Sequence, residues 1–383
     1  MHHRPETAAI HAGRSIDPAT GAVALPIHLS TTFERGADGT YPRGFDYSTF
    51  NNPNRAWLEA AMTELEGGAA AIATSSGMAA IASVLSILAP GERLIVSYDL
   101  FQGTARLLND QLRRWGVEAD VVDVTDCGQV EAAITPKTRM IWIDTPSNPL
   151  MRVTDIAAMV DLARRRGVRV AVDSTFATFV LQRPLDLGAD VAIYATTKYV
   201  AGHSDVVGGL AAFREKGDLY ETARAFQINV GVVPSPFDCW MVHRGLQTLP
   251  QRIRMQSENA QAVAGFLEGH PAVACVYYPG LRSNVGWRVA QRQMPRGCGG
   301  MLSFSLREGK PAALAVVRRV NLFTRAASLG GVESLIEHRA SSPIQTRGTG
   351  TGFTLPDDLL RLSIGLEHPD DLIADLEQAL DKI

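Results

Sequence analysis

The sequence predicts an α/β fold, with a large domain on a mostly parallel seven-stranded sheet and a smaller C-terminal α/β domain. Three observations carry that prediction. From about residue 70 to 215, short apolar runs alternate with helical periodicity, the pattern of strands joined by covering helices. Ser75, Asn148, Asp173 and Lys198 stand at or just past the carboxyl ends of such runs, where sheets of this kind bind ligands, so one crevice can collect them. Beyond residue 245 the alternation gives way to a long helix and a second set of strands. The expected division is an arm over 1–50 that contacts a neighbouring subunit, a large domain over 51–245 and a small domain over 246–383.

The elements follow in order. Residues 1–50 are rich in Pro, Gly, Thr and polar residues with little periodicity, and an extended arm this long needs something to pack on. A first helix is expected over 53–66, where Leu58, Ala61, Met62 and Leu65 share a face and Gly67-Gly68 stops it. Strands are expected at 70–73, 93–97, 119–124, 140–144, 168–173, 191–194 and 208–213, with helices at 78–88, 104–115 and 156–166. The small domain reads as a helix over 251–267, strands around 276–278 and 301–306, then helices over 311–320 and 369–380.

At 383 residues the chain can bury two cores, and its net charge of −3 gives no reason to expect nucleic acid or an anionic membrane as partner. Cys127, Cys239, Cys275 and Cys298 are far apart without Cys-x-x-Cys spacing. They read as reduced thiols of a cytoplasmic protein, with no metal site expected. The N-terminus has no signal-peptide core, and no apolar run approaches the ~20 residues that span a bilayer.

Lys198 is the leading candidate for a reactive residue. The other four lysines, Lys137, Lys216, Lys310 and Lys382, sit in polar, turn-like or terminal contexts. Lys198 instead follows the apolar run 190–194 and precedes a Gly-His-Ser loop. A lysine ending a buried strand is costly unless its charge is paired or removed, and a Schiff base with an aldehyde removes it. An aldehyde cofactor also needs an anion cradle, a flat contact for its ring and a carboxylate at its ring nitrogen. Thr74-Ser-Ser-Gly-Met78 joins a strand to a helix and supplies either a phosphate cradle or a plain capped turn. Phe101 either stacks on a ring or packs in the core. Asp173 ends an apolar strand and either meets a pyridinium or caps the next helix. Asn148, between prolines, is a donor or a turn residue. Arg361 interrupts the apolar stretch 359–365 and holds either a substrate carboxylate or an internal acid.

Taken together, these motifs resemble a known family. Leu65-Glu-Gly-Gly68, Ser75-Ser-Gly-Met78, Thr145-Pro-Ser-Asn-Pro149, Val172-Asp-Ser-Thr-Phe176, Thr197-Lys-Tyr199, Gly202-His-Ser-Asp205, Ser328-Leu-Gly-Gly-Val-Glu-Ser334 and Arg361-Leu-Ser-Ile-Gly365 occur in order along the chain. The set is similar to the pyridoxal-phosphate-dependent cysteine and methionine metabolism family, which includes cystathionine γ-lyase, cystathionine γ-synthase and methionine γ-lyase. The resemblance implies a fold-type-I, aspartate-aminotransferase-like architecture, pyridoxal 5'-phosphate (PLP) as cofactor, an amino-acid substrate and a homotetramer of two active dimers. It implies C–S lysis or γ-replacement, with β-elimination or a degenerate non-catalytic homologue as alternatives. It assigns the Schiff base to Lys198, the pyridinium contact to Asp173, ring stacking to Phe101, and phosphate contacts to Ser75, Gly77, Met78 and Thr197. Tyr47 is assigned to a neighbouring subunit's phosphate, and Asn148, Ser328 and Arg361 to the substrate carboxylate.

The sequence also departs from the family. Phe101 stands where the family has a tyrosine that stacks and assists proton transfer, and Thr49 stands where it has an arginine. Ala195 replaces a phosphate-binding serine, for which Thr196 or Arg43 can compensate. Ser174 follows Asp173 where Asn is usual, and Ala327 precedes Ser328 where Glu is common. The family's Pro-Ala-Ser-Met-Thr-His reads Arg339-Ala-Ser-Ser-Pro-Ile here.

Overall fold

Asn52 caps the first long helix, Pro53–Glu66, by accepting the N–H of Asn54 at 2.9 Å. Gly67 ends it in the left-handed region at φ 72°. The expected bounds hold because a proline opens the helix and a glycine closes it, each at the position its backbone favours. The structure, a computed structural model, describes residues 3–341 and 351–383. Of the departing segment 339–344, residues 342–344 lie outside the described residues. The chain falls into two units, 1–87 with 184–250, and 88–183 with 251–383. The first unit carries three sheet strands, and the second carries four parallel strands and a separate five-stranded sheet.

In the first unit, strand Gly209–Phe213 lies between Ala70–Thr74 and Val191–Ala195 and runs antiparallel to both. Alanines dominate these buried strands. Small side chains let helices Pro53–Glu66, Gly77–Leu85 and Asp218–Val230 pack closely. Glu59 organises the polar interior by accepting the Ala73 N–H at 2.9 Å and pairing with Arg224 at 2.9 Å. Arg55 is 1% exposed and donates to the Ser48 and Thr49 carbonyls at 3.0 and 3.2 Å. The end of the arm is thereby fastened to this helix. The arm is not extended throughout, as the sequence suggests: Pro5–His11 is a helix, too short for periodicity to reveal. Helix Pro236–Leu246 also escaped expectation, although Ser235 caps it through the Asp238 N–H at 3.0 Å.

The second unit carries parallel strands. Thr138–Asp144 pairs with Arg93–Ser97 on one side and Arg169–Asp173 on the other, and Arg93–Ser97 pairs outward with Glu118–Val122. Helices Gln102–Asp110, Cys127–Ala133 and Ile156–Arg165 connect them. The same unit holds the five-stranded sheet in the order Thr324–Arg325, Leu335–His338, Leu359–Ser363, Met301–Leu306, Val273–Tyr277. All its pairings but the first are antiparallel. Helix Gly309–Arg319 packs on it, and helix Pro369–Leu380 packs against that helix. No helix among the described residues is long and apolar enough to cross a membrane.

Candidate active site

Lys198 lies three residues past the strand Val191–Ala195, half-buried in a turn. Its N–H donates to the Ala195 carbonyl at 3.1 Å, and its own carbonyl accepts from Gly202 at 2.8 Å. The Thr197 hydroxyl exchanges hydrogen bonds with the backbone of Gly208, accepting its N–H at 3.1 Å. In the same unit Gly77 and Met78 open the helix Gly77–Leu85, and the Ser76 hydroxyl caps it by accepting the Ala79 N–H at 3.1 Å. The first N–H groups of that helix have no partner within it and carry the positive end of its dipole. Ser75 is exposed on the preceding turn, its N–H bound to the Val232 carbonyl at 2.9 Å. Tyr47 sits in the arm, bridged to Thr32 through the backbone, with its ring half exposed.

The second unit holds the remaining candidates. Asp173 ends the strand Arg169–Asp173, and its register partner on the neighbouring strand is Asp144. Burial raises the pKa of both carboxyls, and the charge of Asp173 pushes Asp144 further up. Each also receives N–H donors. Asp144 accepts from the Phe101 backbone at 2.7 Å and the Trp142 indole at 2.8 Å, and Asp173 accepts from Thr175 at 3.0 Å. Asp144 therefore anchors Phe101, whose ring is 37% exposed at the start of helix Gln102–Asp110. A buried amide network fixes the strand ends. Gln182 donates to the Thr145 carbonyl and the Ser174 hydroxyl, and Gln293 donates to Gln182 at 2.6 Å. Ser174 thus supplies an acceptor at the position where the family has Asn.

Arg361, 4% exposed on strand Leu359–Ser363, gathers three acceptors. Its guanidinium donates to Asn148 Oδ1 at 3.1 Å, to the Ser328 carbonyl at 3.0 Å and to Glu337 Oε2 at 2.8 Å. Ser328 adopts φ 87°, the left-handed region that a non-glycine residue enters only under constraint. The structure thus joins Asn148, Ser328 and Arg361 in one cluster. It also supplies the internal acid that the sequence left open.

Comparison with known proteins gives the family of the chain. The model of the Cys/Met metabolism PLP-dependent enzyme family matches residues 6–381. The chain belongs to that family. It is 48% identical over 377 residues to the cystathionine gamma-synthase of Mycobacterium tuberculosis, covering 98% of this chain and 96% of that protein. It is 42% identical over 380 residues to the cystathionine beta-lyase of Coxiella burnetii, covering 98% and 97%. The crystal structure of cystathionine gamma-lyase from Lactobacillus plantarum complexed with L-serine matches with a TM-score of 0.92 and 39% identity, covering 100% of this chain and 99% of that one. The fold class is borne out, and this member of the Cys/Met metabolism family is a PLP-dependent enzyme whose relatives are cystathionine synthases and lyases.

The residues present fit that cofactor. A Cβ on Gly77 would meet the Ala195 methyl at 2.7 Å, and one on Gly209 would meet the Ser76 carbonyl oxygen at 2.3 Å. Backbone thus packs closely around the helix start and leaves its N–H groups for an anion. The Thr196 hydroxyl is buried and has no partner among the described residues, an orphan that a phosphate would satisfy. In the second unit, burial raises both facing carboxyls and the charge of Asp173 pushes Asp144 further up, an arrangement that a cation such as a pyridinium would relieve. Sequence reasoning missed Asp144 and Glu337. Asp144 ends its apolar run just as Asp173 does, but only register sets the two opposite each other.

Proposed function

We propose that the chain catalyses γ-replacement on an O-activated homoserine, with a thiol as nucleophile, and γ-elimination when the nucleophile is absent. The observation that carries this reading is the cluster of Arg361 with Asn148 and Ser328, a guanidinium and its supports able to hold an α-amino acid by its carboxylate. The identity of 48% to a cystathionine gamma-synthase, against 42% to a beta-lyase, favours Cγ as the reacting carbon.

When bound, PLP supplies an aldehyde for the amine and a ring that accepts the electrons of the bond broken at Cα. Gly77, Met78, Thr197 and Ser75 would hold its phosphate, with Tyr47 reaching the phosphate of a neighbouring subunit. Asp173 would keep a proton on the ring nitrogen, Phe101 would lie on the ring face, and Lys198 would hold the aldehyde carbon. The Lys198 Nζ would carry the proton from Cα to Cβ of a bound amino acid. No phenol stands at position 101 to share that work. On this reading 51–245 would be the cofactor-binding domain and 246–383 the small domain. In support, all five strands of the smaller sheet lie beyond residue 250.

A homotetramer in the cytoplasm completes the proposal. It is supported by apolar arm residues left exposed in the single chain, Ile16, Val23, Leu29 and Phe50 among them, and sedimentation tests it. The function is tested by giving the PLP-loaded protein an O-acylated homoserine with and without cysteine. Cystathionine in the first case, and a keto acid with ammonia in the second, are expected. Inert acyl-homoserine together with pyruvate release from cystathionine would overturn the reading in favour of β-elimination.

A further inference from the structure

Glu337 and Arg361 are register partners on neighbouring antiparallel strands, and taken alone they form an internally neutral pair. Such a pair holds a substrate carboxylate poorly, because Glu337 has already spent the charge of Arg361 and repels an incoming anion. The structure adds a second cation. Arg339, at the position where the family has a proline, donates from Nη1 to the same Glu337 Oε2 at 3.1 Å. One carboxylate oxygen is thereby shared between two guanidiniums, so Arg361 does not hold the charge of Glu337 alone. The side chains of Glu337 and Arg339 are each 11% exposed and that of Arg361 4%, so solvent screens them weakly. Arg339 stays there although its Nε is buried without a partner among the described residues, a cost that a purely structural cation would not need to bear.

We propose that Arg339 is a positioning residue for substrate. By occupying Glu337 it leaves the charge of Arg361 available to the α-carboxylate of an amino acid. This rests on the reading of Arg361 as the carboxylate-binding group, and the experiment separates the two ideas.

Steady-state kinetics are compared for the PLP-loaded wild type and the variants Arg339→Leu, Arg339→Lys and Arg361→Leu, with folding checked by thermal denaturation. Arg339→Leu should raise KM for the amino-acid substrate about tenfold with kcat nearly unchanged, since the loss is of attraction in a weakly screened site. Arg339→Lys, which keeps the charge, should recover most of the wild-type KM. Arg361→Leu should raise KM more than Arg339→Leu does. If Arg361→Leu impairs KM while Arg339→Leu leaves it unchanged, the role of Arg339 is refuted and that of Arg361 stands. If Arg361→Leu leaves KM unchanged, the carboxylate reading itself fails. A fall in kcat with KM constant in Arg339→Leu, unrescued by Lys, marks a structural role and also overturns the proposal.

Discussion

Two strand pairs in the second unit each set ionisable side chains opposite one another, and they balance charge in opposite ways. Asp144 and Asp173 face each other across parallel strands as two acids. Glu337 and Arg361 face each other across antiparallel strands as an acid and a base. The second pair is satisfied from within, and Arg339 shares its acid. The first cannot be. Its carboxyls draw on N–H donors from Phe101, Trp142 and Thr175, but among the described residues neither has an ion pair with a cation. An unbalanced pair at the carboxyl ends of parallel strands points to a charge supplied by a ligand, whereas a balanced one can be structural and functional at once.

The largest effect should come from removing the unbalanced charge. Asp173→Asn keeps the acceptor for Thr175 but cannot hold a proton on a pyridine nitrogen. We expect kcat/KM to fall by about 10²–10³-fold, the scale of one preorganised electrostatic contact, with weaker retention of PLP on dialysis. Retained activity would mean that the two acids serve each other and not the cofactor. Breaking the balanced pair should act on folding. Glu337→Gln leaves two buried guanidiniums facing a neutral amide and should cost about 3 kcal/mol in urea denaturation. A loss below about 1 kcal/mol would place this cluster among the weakly contributing surface pairs.

The contrast also marks what could be read from sequence. The strand ending in Asp173 is an apolar run closed by an acid, and Arg361 is a cation inside an apolar run; both patterns are local. Their partners are not. Asp144 becomes significant only through register, and Glu337 lies on a four-residue strand, Leu335–His338, too short and too polar to stand out. The same holds for the fold. Helix Pro53–Glu66 was legible end to end because its face, its proline and its terminal glycine all agree. Helix Pro5–His11 was not, since seven residues give barely two turns. Gly77 stood out through motif likeness, yet the reason for glycine there is the Ala195 methyl, more than a hundred residues away in sequence.

The smallest expected effect is the most specific to the comparison. Because burial raises both carboxyls above their ordinary range, the folded protein holds protons that the unfolded chain has released. This contribution therefore favours folding least at high pH. Its cost is absent below the ordinary carboxylate range, near pH 4, and grows as pH rises until the folded groups have titrated. Asp173→Asn removes one of the two like charges, so without PLP the variant should unfold at higher temperature than wild type at about pH 8, by roughly 1 kcal/mol, with the gap closing towards about pH 4. Adding PLP should reverse the order, since a pyridinium neutralises the wild-type pair and has less to meet in the variant. Melting temperatures measured across that range, with and without PLP, decide the matter. A gap that does not change with pH would show that the two carboxyls do not oppose each other in the folded state, and the case for a charge supplied by the cofactor would lose its electrostatic basis.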